Sequence, residues 1–148
     1  MNWEYIAGFF DGEGSILRSP KGFRITIPQT NLDVLREIHQ FTGVGNVIAV
    51  TKRQAHWKDS WVYYIAKQKD ILFFLRHVQP YVIVKRENTL RAIPSLAKIV
   101  QKQNTRIRRA KLVTERAKEL RKQEWTYRAI GKKLKIDWGY ARRIILYK

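Results

Sequence analysis

The stretch Trp3-Glu4-Tyr5-Ile6-Ala7-Gly8-Phe9-Phe10-Asp11-Gly12-Glu13-Gly14 decides how the rest of the chain is read. Its apolar residues Trp3, Ile6, Ala7 and Phe10 recur at i, i+3, i+4 and i+7, which predicts a helix from about Trp3 to Asp11. Gly12 and Gly14 are expected to end it. The unpaired carbonyls at a helix C-terminus carry partial negative charge, so Lys or Arg stabilises that end. Asp11 and Glu13 stand there instead, a conflict of about 0.3–1 kcal/mol per charge. Broken local rules of this kind concentrate at functional sites. A divalent cation would reverse the sign of the problem. With glycine on both sides of Glu13, a carbonyl such as that of Gly12 is able to join the carboxylate as an oxygen ligand for Mg2+. Without a ligand, the same residues read as solvated loop acids among small neighbours.

Beyond Gly14, Ser15–Arg18 and the alternating Phe23-Arg24-Ile25-Thr26-Ile27 read as strands joined by the turn formers Pro20 and Gly22. Thr30 or Asn31 caps a helix carrying Leu32, Leu35, Ile38 and Phe41, which Gly43 ends. A second hairpin pairs Asn46–Lys52 with Trp61–Lys67. Ile71, Leu72, Leu75 and Val78 mark a further helix that Pro80 breaks, and residues 81–100 read as a long helix interrupted or bent at Pro94. The expected fold is therefore α+β, with an antiparallel sheet able to leave one face to a ligand. Gln101–Arg106, polar and without aromatic residues, reads as a linker between a core of residues 1–100 and a basic helical extension of residues 101–148.

Thirty Lys and Arg against 12 Asp and Glu give a net charge of +18, a self-repulsion that a polyanionic partner would offset. The core holds 14 basic and 8 acidic residues, the extension 16 and 4. Nucleic acid is the expected partner. A membrane-surface or secreted protein is disfavoured, because the first twelve residues carry no Lys or Arg and no stretch is apolar enough to span a bilayer. The expected location is intracellular, in cytoplasm or an organelle matrix. The absence of cysteine removes thiol nucleophiles and zinc fingers.

Ile6-Ala7-Gly8-Phe9-Phe10-Asp11-Gly12-Glu13-Gly14 resembles the LAGLIDADG signature, matching at Ala7, Gly8, Asp11 and Gly14 and conservatively at Ile6, Phe9, Phe10 and Glu13. The departures are Gly12 for alanine and Glu13 for aspartate. The resemblance implies the αββαββα homing-endonuclease fold over residues 1–100. It implies that Glu13 is the metal-binding catalytic acid, aided by the Gly12 carbonyl, while Asp11 supports the helix end. It implies a dimer interface of two such helices built from Ile6, Ala7, Gly8, Phe10 and Asp11. Val78-Gln79-Pro80-Tyr81-Val82-Ile83-Val84-Lys85 resembles the family segment that carries a catalytic lysine, which implies that role for Lys85. Ile27-Pro28-Gln29 resembles the strand end whose glutamine positions the attacking water, although Pro28 disturbs the strand and Gln29 shares the apolar parity of Phe23, Ile25 and Ile27. With one motif in the chain, the family pattern implies a homodimer cutting both strands of a long, imperfectly palindromic DNA site with Mg2+, as intron-encoded enzymes do.

A two-stranded ribbon fits the DNA major groove. On that reading Arg18, Lys21, Arg24 and Thr26 of the first hairpin, and Asn46, Lys52, Arg53, Gln54, His56, Lys58 and Tyr64 of the second, are DNA-contacting. Each reads equally as a phosphate contact or a solvated residue. In the extension, Ala129, Ile130, Leu134, Ile136, Ala141 and Ile145 follow the spacing of a helix-turn-helix whose last helix presents Tyr140, Arg142 and Arg143, although Lys135 replaces the usual turn glycine. The alternative is a basic tail along phosphates. The rival function is a non-cleaving protein of the same fold, either an intron RNA maturase or a DNA-binding regulator.

Overall fold

The computed structural model describes residues 1–52, 54 and 56–147. The elements are α1 (Trp3–Glu13), β1 (Ser15–Ser19), β2 (Gly22–Gln29), α2 (Leu32–Thr42), β3 (Asn46–Ala49), β4 (Trp61–Ile65), α3 (Gln68–Val78), α4 (Arg86–Lys122), α5 (Tyr127–Leu134) and α6 (Trp138–Leu146). The four strands form one antiparallel sheet in the order β1-β2-β4-β3. The expected α+β architecture is present. By packing, the chain divides into Met1–Val100 and Gln101–Lys148.

Register explains which residues enter the core of the first unit. Ile25 pairs with Ile16 and Ile65, and Ile27 with Tyr63. These residues point to the same sheet face, where α1, α2 and α3 cover them. Trp3 sits edge-on to Phe41, Phe73 and Phe74, and Phe10 meets Phe74 at 5.4 Å between centroids. Such edge contacts favour the ring quadrupoles. Within the core, the Tyr63 hydroxyl donates to the Val44 carbonyl at 2.8 Å, and burial raises its pKa to about 12.

Polar caps and a glycine hold the helix ends. Asn2 accepts from the Tyr5 N–H, Asn31 from Asp33 and Val34, and Gly43 closes α2 in the left-handed region at φ 65°. His77 stacks on Trp3 at 4.5 Å, as a packing residue does.

Three expectations change. The helix α1 does not stop at Asp11 but runs through Gly12 to Glu13, with the Gly14 N–H bonded to the Phe10 carbonyl. A Cβ at Gly14 would lie 2.1 Å from the Phe10 ring, so glycine is needed there for close approach. Next, α4 begins at Arg86 rather than near residue 81, and Pro94 lies within it without interrupting it. Finally, residues 101–106 are helical rather than a linker, and the same helix runs on to Lys122. Gln, Lys and Arg are good helix formers, and polarity all round marks an exposed helix as readily as a loop.

Pro28 is accommodated within β2 opposite Val62, because β1 pairs no further than Thr26 and one side of β2 is free there. Among the described residues no helix is long and apolar enough to cross a membrane.

Gln68 ties the start of β2 to α3. Its Oε1 accepts from the Phe23 N–H at 2.8 Å and its Nε2 donates to the Phe23 carbonyl at 2.8 Å, both buried. Gln68→Ala strands both backbone groups and is expected to lower unfolding free energy by about 1–3 kcal/mol, measured by urea denaturation.

Candidate active site and nucleic-acid interface

Asp11 reaches from the end of α1 to the beginning of α4. Its carboxylate accepts the backbone N–H groups of Ile83, of Val84 at 3.0 Å and of Lys85 at 2.9 Å. These donors lie just ahead of Arg86, where α4 starts, so a negative charge sits where a helix N-terminus favours one. Partial burial works to raise the Asp11 pKa, but the three backbone donors and the Lys85 charge outweigh it and hold the group below its ordinary value. In return, the Lys85 ammonium donates to the Asp11 carbonyl, one of the last unpaired carbonyls of α1, and lies 5.8 Å from the Phe10 ring centroid. The structure thus brings Lys85 to the helix end that bears Glu13.

The conflict with the helix dipole is therefore resolved for Asp11 and left standing for Glu13. Glu13 is exposed in the last turn of α1, and among the described residues no cation pairs with it. Gly12 beside it is also exposed, and a Cβ there would meet nothing within 4 Å. Among the described residues no three His, Cys, Asp or Glu side chains lie together as a metal cage. One open carboxylate and a terminal carbonyl nevertheless suit Mg2+, which keeps several waters and binds through one or two carboxylates plus substrate phosphate. The residues fit part of a site, to be completed by substrate and further ligands.

The residues of the expected dimer interface fall in different places in the fold. Ile6, Ala7 and Phe10 are 0% exposed and belong to the core of their own chain, and Asp11 is committed to α4. The apolar stripe of α1 faces the sheet because a single antiparallel layer must bury one face. Gly8 remains open. Together with Gly12, Glu4 and Tyr5 it forms the outward face of α1, and neither glycine would meet an atom within 4 Å if given a Cβ. Gly12 and Tyr5 are the interface candidates that the motif alone did not mark, although the i, i+4 spacing of Gly8 and Gly12 was legible.

Gln29 closes β2 three residues past the Ser15–Thr26 pair, about 10 Å along the strand. Its Oε1 accepts from the Thr30 N–H at 2.7 Å and from the Thr30 hydroxyl at 3.3 Å.

The sheet face opposite the helices has the chemistry of a ligand platform. Ser15, Thr26, Tyr64 and Asn46 stand in one row across all four strands. The Arg24 guanidinium lies over the Tyr64 ring at 5.5 Å, and Pro28, Val62 and Ile48 form the neighbouring row. Arg24, Thr26, Asn46 and Tyr64 therefore share this face, joined by Ser15 and Leu17, which alternation counted from β1 would have found. Arg18 does not share it. It pairs with Phe23, points to the helix-covered side and lies over the Phe23 ring at 5.8 Å. Lys21 is exposed in the first turn, and Gln54, His56 and Lys58 are exposed in the second connection. Lys52 is paired with Asp59 at 2.9 Å. Arg53 lies outside the described residues. Trp61 packs on the core, whereas Trp57 is exposed.

In the second unit Arg142 and Arg143 are exposed on α6. Tyr140 is half-buried, turned with Ile144 toward Ile107 and Lys111, and the Arg143 guanidinium covers its ring at 5.2 Å.

A family model described as a LAGLIDADG-like domain matches residues 2–79, more than half of the chain. The chain belongs to the LAGLIDADG family. Solved structures agree on the fold. The homing endonuclease I-CvuI, in complex with the I-CreI target in the presence of Mg, is similar at 20% identity and a TM-score of 0.51 over 65% of this chain and 66% of that one. The archaeal intron-encoded homing endonuclease I-Vdi141I complexed with DNA gives 19% identity and a TM-score of 0.52 over 97% and 93%. The LAGLIDADG homing endonuclease I-SmaMI bound to cleaved DNA gives 18% and 0.56 over 70% of this chain, which spans only 38% of that protein. Among curated proteins nothing matches.

In this LAGLIDADG chain the Asp11 latch has a pH signature. The folded-state pKa is depressed, so the stabilisation is fully present above the ordinary carboxylate value of 3.8 and is lost as pH falls through the folded value. Asp11→Ala is expected to cost about 1–2 kcal/mol at pH 7. In urea unfolding, the gap between wild type and variant is expected to narrow at pH 3; an unchanged gap would contradict the latch.

Proposed function

We propose that the protein is a homing endonuclease that acts as a homodimer on double-stranded DNA, making metal-dependent breaks in both strands of a long, imperfectly palindromic site, as an intron-encoded enzyme would. The observation that carries this reading is Glu13, the acid at the end of the motif helix that has no compensating partner among the described residues, next to a lysine already drawn to that helix end. In the dimer, the outward faces of two α1 helices meet at Gly8 and Gly12, where the missing side chains permit close approach. Two Glu13 carboxylates then share a very negative spot beside a polyanion, which a divalent cation, with Mg2+ the expected ion, makes tolerable.

Glu13 and the Gly12 carbonyl would hold the cation, which supplies Lewis acidity toward the attacked phosphate and the attacking water. Lys85 brings positive charge to the phosphate as negative charge develops on its oxygens. Gln29 orients water through its carboxamide, which requires that group to leave Thr30. The outer sheet face, with Arg24, Thr26, Asn46 and Tyr64, lies in the major groove, and Lys21, Lys52, Gln54, His56 and Lys58 extend its reach. The basic second unit adds affinity and salt dependence.

The test compares wild type with Glu13→Gln on plasmids carrying candidate sites, with and without Mg2+. Glu13→Gln is expected to bind with wild-type affinity and to cut about 10⁴-fold more slowly or worse. Lys85→Met is expected to lose about 10²- to 10³-fold in rate while still binding. Wild type that binds DNA and never nicks it would replace this reading with the non-cleaving one; preferential binding of intron RNA would then mark a maturase, and of DNA alone a regulator.

A further inference from the structure

The second unit has a core of its own. Ala117, Leu120, Ile130 and Ala141 are buried together, with Leu134, Ile136, Ile144 and Ile145 packed around them. Thr126 caps α5 through the Ala129 N–H, and Asp137 caps α6 through the Tyr140 N–H at 3.0 Å. Between the helices, Lys135 takes the left-handed conformation at φ 54°, ψ 46° that glycine more often fills. A Cβ on Gly131 would lie 2.9 Å from the Ile136 carbonyl and 3.2 Å from the Trp138 Cα. The middle of α5 therefore touches the start of α6 backbone to backbone, and a larger residue would push the pair apart. Two short helices with a three-residue turn and this contact make a helix-turn-helix.

The exposed side of α6 is chemically uneven. Ala141 is buried, and Tyr140, Ile144 and Ile145 are half-buried. Trp138, 52% exposed in the first turn, Arg142 and Leu146 form an outward row at i, i+4 and i+8. Between Trp138 and Arg142, Gly139 carries no side chain to hold the helix away from a surface. Phosphate binding needs only charge, and the unit already carries 16 basic residues against 4 acidic. A large aromatic ring in the first turn of the second helix, one turn before an arginine, fits a surface that reads base edges.

We infer that α6 reads bases in a DNA major groove, with Arg142 donating to guanine and Trp138 forming an apolar wall, so that the protein recognises a second block of sequence besides the one read by the hairpins. Arg142 and Trp138 are the reading residues, and Tyr140, turned inward, is not. B-form DNA is the partner because its major groove admits a helix, whereas that of A-form RNA is too deep and narrow. The inference rests on the nucleic-acid part of the proposed function and is independent of cleavage.

The experiment is selection of duplexes from a random library by the full-length protein without divalent metal, for wild type, Arg142→Ala, Arg142→Gln and Trp138→Ala. Wild type is expected to enrich two blocks of base preference. Arg142→Ala is expected to erase one guanine of the second block, leave the first block intact and weaken the best site roughly 5- to 150-fold. Arg142→Gln is expected to turn that guanine toward adenine. Both side chains are exposed, and unchanged melting by circular dichroism confirms that the variants fold. A single enriched block, or an Arg142→Ala variant that weakens all sequences equally with a salt slope lower by about one, would overturn the inference. If no cutting is ever seen but the second block is, only the nuclease reading falls.

Discussion

Two helix ends of opposite polarity are locked together by one aspartate and one lysine. The Asp11 carboxylate takes the free N–H groups before α4, and the Lys85 ammonium takes a free carbonyl at the end of α1. Each group answers an unmet demand of the other helix, so the contact satisfies backbone atoms as well as charges. Its consequence is selective. Of the two acids in the motif, Asp11 has its charge met by the fold and Glu13 is left open to solvent. The lysine proposed to act in catalysis is placed by the same latch, so structure and chemistry share one set of atoms.

Much of this fold was legible in the residues. Asn31 and Gly43 marked the ends of α2, and alternation in Phe23–Ile27 gave the inward face of β2, because caps and binary patterning act locally. Less was legible where one local pattern serves two purposes. Ile6, Ala7 and Phe10 belong both to the apolar stripe of the helix and to the expected dimer surface, and the fold buries all three in the core of their own chain. The open face is that of Gly8 and Gly12. Arg18 shares the first hairpin with Arg24, but the pairing register, Arg18 with Phe23, sets its side of the sheet. The tie between Asp11 and the segment before α4 spans more than seventy residues of sequence, and no periodicity reports it.

Charge and site are also separated along the chain. The first unit carries the acid, the lysine and a mixed polar and apolar sheet face, and it is only modestly basic. The second unit carries most of the excess positive charge and the two short helices α5 and α6. On the proposed reading the two units divide the labour: one supplies chemistry, and the other raises affinity for the polyanion and adds base discrimination through α6. Long-range attraction to phosphates is not sequence-specific and weakens with salt, whereas the rows on the sheet and on α6 act only at contact.

The central claim is that two copies of Glu13 act as a pair on one duplex. The most direct measurement is double-strand cutting by preparations in which wild type and Glu13→Gln are co-expressed and purified together in known ratios. If each active molecule needs two intact glutamates, the double-strand cutting rate falls as the square of the wild-type fraction, with singly nicked DNA from mixed pairs as its companion product. A rate that falls in simple proportion to that fraction would mean each chain works alone, and the paired-acid account would be wrong.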